Sequence, residues 1–267
     1  MNDTNPVKYS KHSPLVRFTR NLLRKVNKAI NEFNLISEGD RVCVGLSGGK
    51  DSLSLLHLLI EHARFFPVRF EIAAAFVRSD ADPRAEETER VLAAICADRG
   101  IPFEVLHITV TLDQEGNTRP PTCFWCSWNR REALFRHCVA RGYTRLAFGH
   151  HADDVAETTL MNLFYHGNLE TMLPGRTFYD GRFDLIRPLF YVREKDTAML
   201  ARMAGFDTYT CTCPLADESK RRVMKETVRA LRKDAKYLHQ NLWKAAKTWW
   251  ETFGDRPLHP EERFPRE

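Results

Sequence analysis

Residues 41–52 read RVCVGLSGGKDS and run on into LSLLHLLI at 53–60. The first six positions, 41–46, form a short apolar run of the length expected of a buried strand. Residues 53–60 are apolar almost throughout, which suits a helix covered on most sides. Two adjacent glycines, Gly48 and Gly49, lie between them. A strand, a glycine turn and a helix gather backbone N–H groups at a helix N-terminus, where the partial positive charge favours an anion. Ser47 and Ser52 add hydroxyls, Lys50 a cation, and Asp51 a carboxylate of the kind that holds magnesium beside a phosphate. The spacing is not that of the Walker loop, which has four residues between its first glycine and Gly-Lys.

Outward from this loop, apolar strands alternate with helical patterns. Strands are expected at 70–77, 103–108, 145–148 and 183–186, and helices at 83–98, 126–140, 153–165 and 194–204. This alternation predicts an α/β fold, a parallel sheet with helices on both faces. An amphipathic helix is expected at 14–34, where Leu15, Phe18, Leu22, Val26 and Ile30 recur at helical spacing. The tail from 217 to 250 reads as mostly helical, and the Pro-rich, charged end GDRPLHPEERFPRE as poorly ordered.

A second loop, Gly149-His150-His151-Ala152-Asp153-Asp154, also joins a strand to a helix. In an open parallel sheet such loops share the carboxyl edge, where ligands bind. Asp154 is the candidate for chemistry, as magnesium ligand or proton acceptor, and Asp153 the candidate helix cap. The histidines suit either packing or phosphate contact. Pro188 forces a turn after the 183–186 strand; Arg187 beside it can reach a phosphate or pair with Glu194.

The chain has 7 cysteines, an odd number in 267 residues, which argues against a disulfide framework. Cys43, Cys96 and Cys138 lie in apolar or helical settings and read as core. Cys123 and Cys126 are spaced C-x-x-C at a helix start, where thiolates are favoured. Cys211 and Cys213 are spaced C-x-C, which in extended chain points the two side chains to opposite faces. Three thiolates suit a cubane iron–sulfur cluster with one iron left open. Four would suit structural zinc, and the C-x-x-C pair alone a redox site.

Composition is that of a globular protein, 43% hydrophobic and 28% charged, which excludes fibrous and wholly disordered classes. No apolar run reaches a membrane span and the first residues lack the apolar core of a secretory signal, so a soluble cytoplasmic protein is expected. The net charge is only +5. Basic residues nevertheless crowd two blocks, Lys8 to Lys28 and Lys220 to Lys236. These blocks suit either a phosphate-tracking surface or solvated helix faces.

SGGKDS resembles the signature of the PP-loop ATP pyrophosphatases. Together with C-x-x-C, GHHADD, Asn162-Leu163-Phe164-Tyr165, Ile186-Arg187-Pro188-Leu189 and a late cysteine, the chain is similar to the tRNA 2-thiocytidine synthetases from about residue 15 to 238. The resemblance implies an N-terminal basic helix at 1–38, a PP-loop ATPase domain at 39–210 carrying the C-x-x-C segment, a basic helical segment at 211–252 and a tail at 253–267. It implies ATP held by Ser47, Gly48, Gly49, Lys50, Asp51, Ser52, Gly149 and His150, with Mg2+ on Asp51. It implies a [4Fe-4S] cluster on Cys123, Cys126 and Cys213, although the late pair is C-x-C where the family often has C-x-x-C. Lys50, Asp51, Arg130 and Asp154 are the implied catalytic residues. The implied partners are tRNA and a sulfur donor such as a cysteine desulfurase; a homodimer is among the assemblies allowed. The implied reaction adenylates the C2 carbonyl of an anticodon-loop cytidine, position 32 being the candidate, and replaces its oxygen with sulfur. A PP-loop thiolase acting on a uridine or another substrate, and a zinc-bound, non-catalytic RNA-binding protein, are the competing readings.

Overall fold

The computed structural model describes residues 13–111, 122–208 and 220–253. The expected tail at 253–267 and both late cysteines therefore lie largely or wholly outside the described residues. The chain divides into two compact units, residues 1–152 with 173–219, and residues 153–172 with 220–267.

The first unit opens with α1, Pro14–Phe33, whose N-terminus is capped by Ser13 accepting from the Val16 amide at 3.2 Å. One face of α1 buries Leu15, Leu22, Leu23, Val26 and Ile30. Each such side chain contributes on the order of 1.5–3 kcal/mol by leaving water. There follow β1 (Arg41–Leu46), α2 (Lys50–Phe65), β2 (Glu71–Ser79), α3 (Ala85–Asp98), β3 (Phe103–Ile108) and α4 (Cys123–Arg141). Then come β4 (Arg145–Ala147), β5 (Gly175–Phe178), β6 (Phe183–Ile186) and α6 (Glu194–Met203). Between β4 and β5 the chain forms α5 (Ala152–His166), almost all of which belongs to the second unit.

The six strands lie in the order β3-β2-β1-β4-β6-β5, all parallel except β5, which runs antiparallel to β6 at the edge. This edge strand is the departure from the all-parallel sheet expected from sequence. Its segment, GRTF, has neither alternation nor an apolar run, so no periodicity marks it as a strand. The first crossovers step outward to β2 and β3, and the next jumps back across β1 to β4. The loops leaving β1 and β4 therefore diverge at a topological switch point, where an open α/β sheet forms its ligand crevice.

Strand alternation divides the core. Cys43, Ala73, Ala75 and Val77 pack with Leu134, Phe135 and Cys138 of α4, while Val42, Val44, Ala74 and Phe76 point to the opposite face. On that face α2 packs against both α1 and α6. Cys43, Cys96 and Cys138 are all fully buried, as expected of core residues. A hydrogen bond with the neighbouring Cys138, and then burial, push the Cys43 thiol well above the usual range, which keeps it unreactive. At the amino edge, Asp40 accepts from Thr144 at 2.7 Å and Arg145 at 2.9 Å, and Arg145 also pairs with Asp184. That edge is closed by ion pairs.

The second unit contains α5, α7 (Lys220–Leu231) and α8 (Leu238–Phe253). Ala156 and Leu160 of α5 pack on Met224 and Val228 of α7, flanked by Leu238 and Leu242 of α8. Polar ties join the same helices: Asp153 to Arg232 and His239, and Arg221 to Asp154 at 2.8 Å and Glu157 at 3.5 Å.

Candidate active site

At the carboxyl end of β1 the chain turns through Ser47, Gly48 and Gly49 into α2. Gly48 sits at φ +77°, a left-handed backbone that other residues adopt only with strain. The loop is braced from within. Ser52 Oγ accepts from the Ser47 amide at 3.2 Å and donates to the Gly49 carbonyl at 3.0 Å. Ser47 Oγ accepts from the Gly49 amide at 3.3 Å. Gly49 caps α2 without a side chain, so the helix N-terminus is left to its backbone amides.

Lys50 and Asp51 occupy the first turn of α2. Lys50 Nζ lies 2.9 Å from Asp51 Oδ2 and 3.2 Å from Glu194 Oε1 of α6. Burial disfavours the Lys50 ammonium, but Asp51 and Glu194 outweigh it and its pKa is raised. Asp51 Oδ1 accepts from Thr197 Oγ1 at 2.5 Å, with Nε2 of the buried His151 at 3.7 Å.

The β4–α5 loop brings Gly149 and His150 to this edge. A Cβ on Gly149 would lie 2.8 Å from the Asp51 carbonyl carbon and 2.9 Å from the Ser52 amide. Only glycine lets the two loops approach this closely. His150 Nδ1 accepts from Arg187 Nε at 3.3 Å, and Arg187 also donates to the Leu173 carbonyl. The expected turn at Pro188 is present, closed by Phe190 N to Arg187 O at 3.1 Å. Asp154, the other acidic candidate, belongs to the second unit, where it pairs with Arg221. Asp153, expected as a cap, is buried against Arg232 and His239.

The C-x-x-C segment opens α4. Thr122 caps the helix, accepting from the Trp125 amide at 3.1 Å, so the helix starts at Cys123 rather than Cys126. Both thiols thus lie on the first turn, three residues apart, on one face. Cys123 is exposed and Cys126 half-buried, and neither forms a disulfide. The far end of α4 is fixed at the amino edge of the sheet, where Arg41 Nη1 donates to the Arg141 carbonyl at 2.7 Å. A helix of 19 residues spans about 28 Å, which carries the cysteines toward the edge where the glycine loop sits. Arg130, one turn beyond Cys126, reaches Asp82 after β2, with Nη2 3.3 Å from Oδ2. Its Nε is buried without a hydrogen-bond partner. Among the described residues no group of three His, Cys, Asp or Glu could hold a metal; Cys211 and Cys213 lie outside them.

A family model described as a PP-loop domain matches residues 17–228. A tRNA-cytidine(32) 2-sulfurtransferase of Stenotrophomonas maltophilia is 40% identical over 211 residues, covering 77% of this chain and 69% of that protein. One from Syntrophotalea carbinolica is 36% identical over 231 residues, covering 85% and 88%. The chain belongs to the PP-loop tRNA-cytidine(32) 2-sulfurtransferase family. Among solved structures, the U34-tRNA thiolase NcsA from Methanococcus maripaludis with its [4Fe-4S] cluster aligns with a TM-score of 0.73. At 24% identity, over 88% of this chain and 79% of that one, the likeness establishes the fold.

Within the PP-loop unit, the structure thus gathers Ser47, Gly48, Gly49, Lys50, Asp51, Ser52, Gly149 and His150 at one edge. Sequence reading missed Thr197 and Asp82. Thr197 is a threonine inside a helix, with no local signal, and its contact spans 146 positions. Asp82 lies in the Ser-Asp-Ala-Asp run after β2, placed by topology at the same carboxyl edge; that position was the only clue.

Proposed function

We propose that this chain is an ATP-dependent tRNA-cytidine 2-sulfurtransferase acting on cytidine 32, in the cytoplasm, with tRNA and a sulfur donor such as a cysteine desulfurase as partners. The observation that carries the reading is the pairing, in one compact unit of a PP-loop protein, of a glycine loop bearing Lys50 and Asp51 with a helix opening on Cys123 and Cys126. A nucleotide site alone would suit many adenylating enzymes. Two thiols outside any disulfide on one helical turn add a reason for sulfur chemistry.

The cytosine C2 carbonyl is a weak electrophile with a poor leaving group. Its oxygen attacks the α-phosphate of ATP, pyrophosphate leaves, and C2 carries an O-adenylate. A sulfur nucleophile then adds to C2 and AMP departs. In the first step the loop amides and the α2 N-terminus hold phosphate oxygens. Lys50 neutralises charge on the departing pyrophosphate, and Asp51 is the carboxylate for Mg2+. His150, held by Arg187, faces the same edge and contacts the nucleotide. Arg130, one helical turn beyond Cys126, offers a cation to the base or its adenylate, and Asp154 is the proposed proton acceptor.

The first turn of α4 fits an iron–sulfur cluster: Cys123 and Cys126 share a face, Cys123 is exposed, and neither is in a disulfide. Cys213 is proposed as the third ligand. When bound, such a cluster supplies an iron with an open position at which sulfide can be held.

The test is made on the tRNA itself. Mass spectrometry of tRNA nucleosides from a deletion strain should show loss of 2-thiocytidine at position 32 and recovery on complementation. Loss of a thiouridine instead would reassign the substrate, and an unchanged tRNA profile would remove the enzymatic reading.

A further inference from the structure

The helix that follows β6 carries no part of the glycine loop, yet it contacts both charged residues of that loop. Glu194, the first residue of α6, approaches Lys50 Nζ at 3.2 Å. Thr197, three residues on and fully buried, donates to Asp51 Oδ1 at 2.5 Å. The separation of three positions puts the two side chains on one face of α6, toward the first turn of α2.

The helix is itself well anchored for such a task. Ser54 Oγ of α2 donates to the Thr197 carbonyl at 3.2 Å. Lys25 of α1 reaches Asp196 Oδ2 at 2.7 Å. A side chain on α6 thus has a fixed base.

We propose that α6 sets the working geometry of the phosphate loop, with Thr197 and Glu194 as positioning residues that need not touch the nucleotide. This rests on the reading above in which Lys50 and Asp51 serve phosphate and metal. The two residues act differently. A carboxylate has two oxygens and rotates about one bond; donors on both fix its plane. Lys50 addresses Oδ2 and Thr197 addresses Oδ1. Thr197 therefore selects the orientation in which Asp51 meets a cation. Glu194 acts on charge. Its carboxylate neutralises part of the Lys50 ammonium and competes with an incoming phosphate for it. Lys50 exchanges Glu194 for phosphate when a nucleotide binds, and the loop keeps its shape without one.

These roles predict opposite kinetic signatures. Thr197→Val keeps the volume and removes the donor. It should lower kcat roughly tenfold or more, the scale of one hydrogen bond to a charged group, with KM for ATP changed little. Thr197→Ser should restore most of the rate. Glu194→Gln keeps an acceptor for Lys50 but removes the competing charge. It should tighten inorganic pyrophosphate binding severalfold and steepen its weakening by salt. The full-length protein, purified anaerobically, is used throughout, and the thermal midpoint of each variant is recorded. Lys50→Ala and Asp51→Ala are run beside them. Should both loop variants lose activity while Thr197→Val and Glu194→Gln match the wild type, the α6 proposal is overturned and the loop assignment stands. Should the loop variants remain active, the functional reading itself fails. Equal loss in Thr197→Val and Thr197→Ser, or weaker pyrophosphate binding in Glu194→Gln, would also overturn the proposal.

Discussion

Asp51 takes hydrogen bonds from Lys50 and Thr197 and lies beside the buried His151. Both carboxylate oxygens are thus held by side chains, Oδ2 by Lys50 and Oδ1 by Thr197. Asp51→Ala should reduce thiolation by roughly two orders of magnitude or more while leaving iron content unchanged; iron and acid-labile sulfide assays alongside tRNA thiolation check both halves. Gly149→Ala tests shape alone. Its methyl group would press on the Asp51 backbone at 2.8 Å, and a displacement near 1 Å can cost about a hundredfold in rate. ATP-dependent turnover should fall by that order with the circular dichroism spectrum preserved. At the proposed cluster, Cys123→Ser, Cys126→Ser and Cys213→Ser should each lose iron after anaerobic reconstitution, whereas Cys211→Ser should retain it. Iron retained in Cys213→Ser and lost in Cys211→Ser would transfer the third ligand to Cys211.

At the scale of elements, the basic residues of the Lys220 to Lys236 block separate by what their side chains touch. On α7, Arg221 is tied to Asp154 and Glu157, and Arg232 just beyond the helix to Asp153. These arginines hold the helical unit together. Arg222, Lys225 and Arg229 recur at three and four positions along α7, on a stripe other than the one that buries Met224 and Val228. Reversing these three to Glu should weaken tRNA binding and reduce the slope of log affinity against log salt by about 2 to 3, the counterion release of three phosphate contacts. Pyrophosphate binding should not change. Filter binding over a salt series decides it, and an unaltered slope would assign the stripe to solvent.

The α1–α2 pair carries a different liability. His57 Nε2 meets Thr19 at 3.2 Å, and His62 Nδ1 meets Asn27 at 2.8 Å with Nε2 buried and unpartnered. Burial pushes both pKa values down from 6.5 to about 4. The unfolded chain then binds the protons more readily, so the stabilisation is full above pH 6.5 and is lost as pH falls through the interval toward 4. Two protons correspond to a slope of up to about 2.7 kcal/mol per pH unit. Urea midpoints between pH 7 and 4 should fall more steeply for the wild type than for a His57→Gln, His62→Gln variant.

For the whole molecule, what could be read from sequence follows from how local each signal is. β1, β3 and β6 were expected at 41–46, 103–108 and 183–186, where the structure has them. β1 and β6 are short, mostly apolar runs that announce themselves, and β3, a half-buried edge strand, mixes apolar with polar residues. α2 is longer than its apolar stretch because Lys50 and Asp51 at one end, and Glu61, His62 and Arg64 at the other, are helical without being apolar. α4 begins three residues early because the Thr122 cap is a single polar residue. The glycine loop was legible because its chemistry is contiguous. Thr197, Glu194 on Lys50, and Asp82 on Arg130 were not, since each partnership exists only once the sheet has been wound.

The second unit is assembled from two stretches far apart in the chain. Met224, which covers Leu160, follows it by 64 positions. At ribosomal rates of about 5–20 residues per second, α5 leaves the exit tunnel roughly 3–13 s before its cover does. During that interval Ala156 and Leu160 lack their partners, and the nascent chain presents an apolar helix to whatever holdase waits there. A ribosome stalled after residue 208 would hold the chain in that state indefinitely.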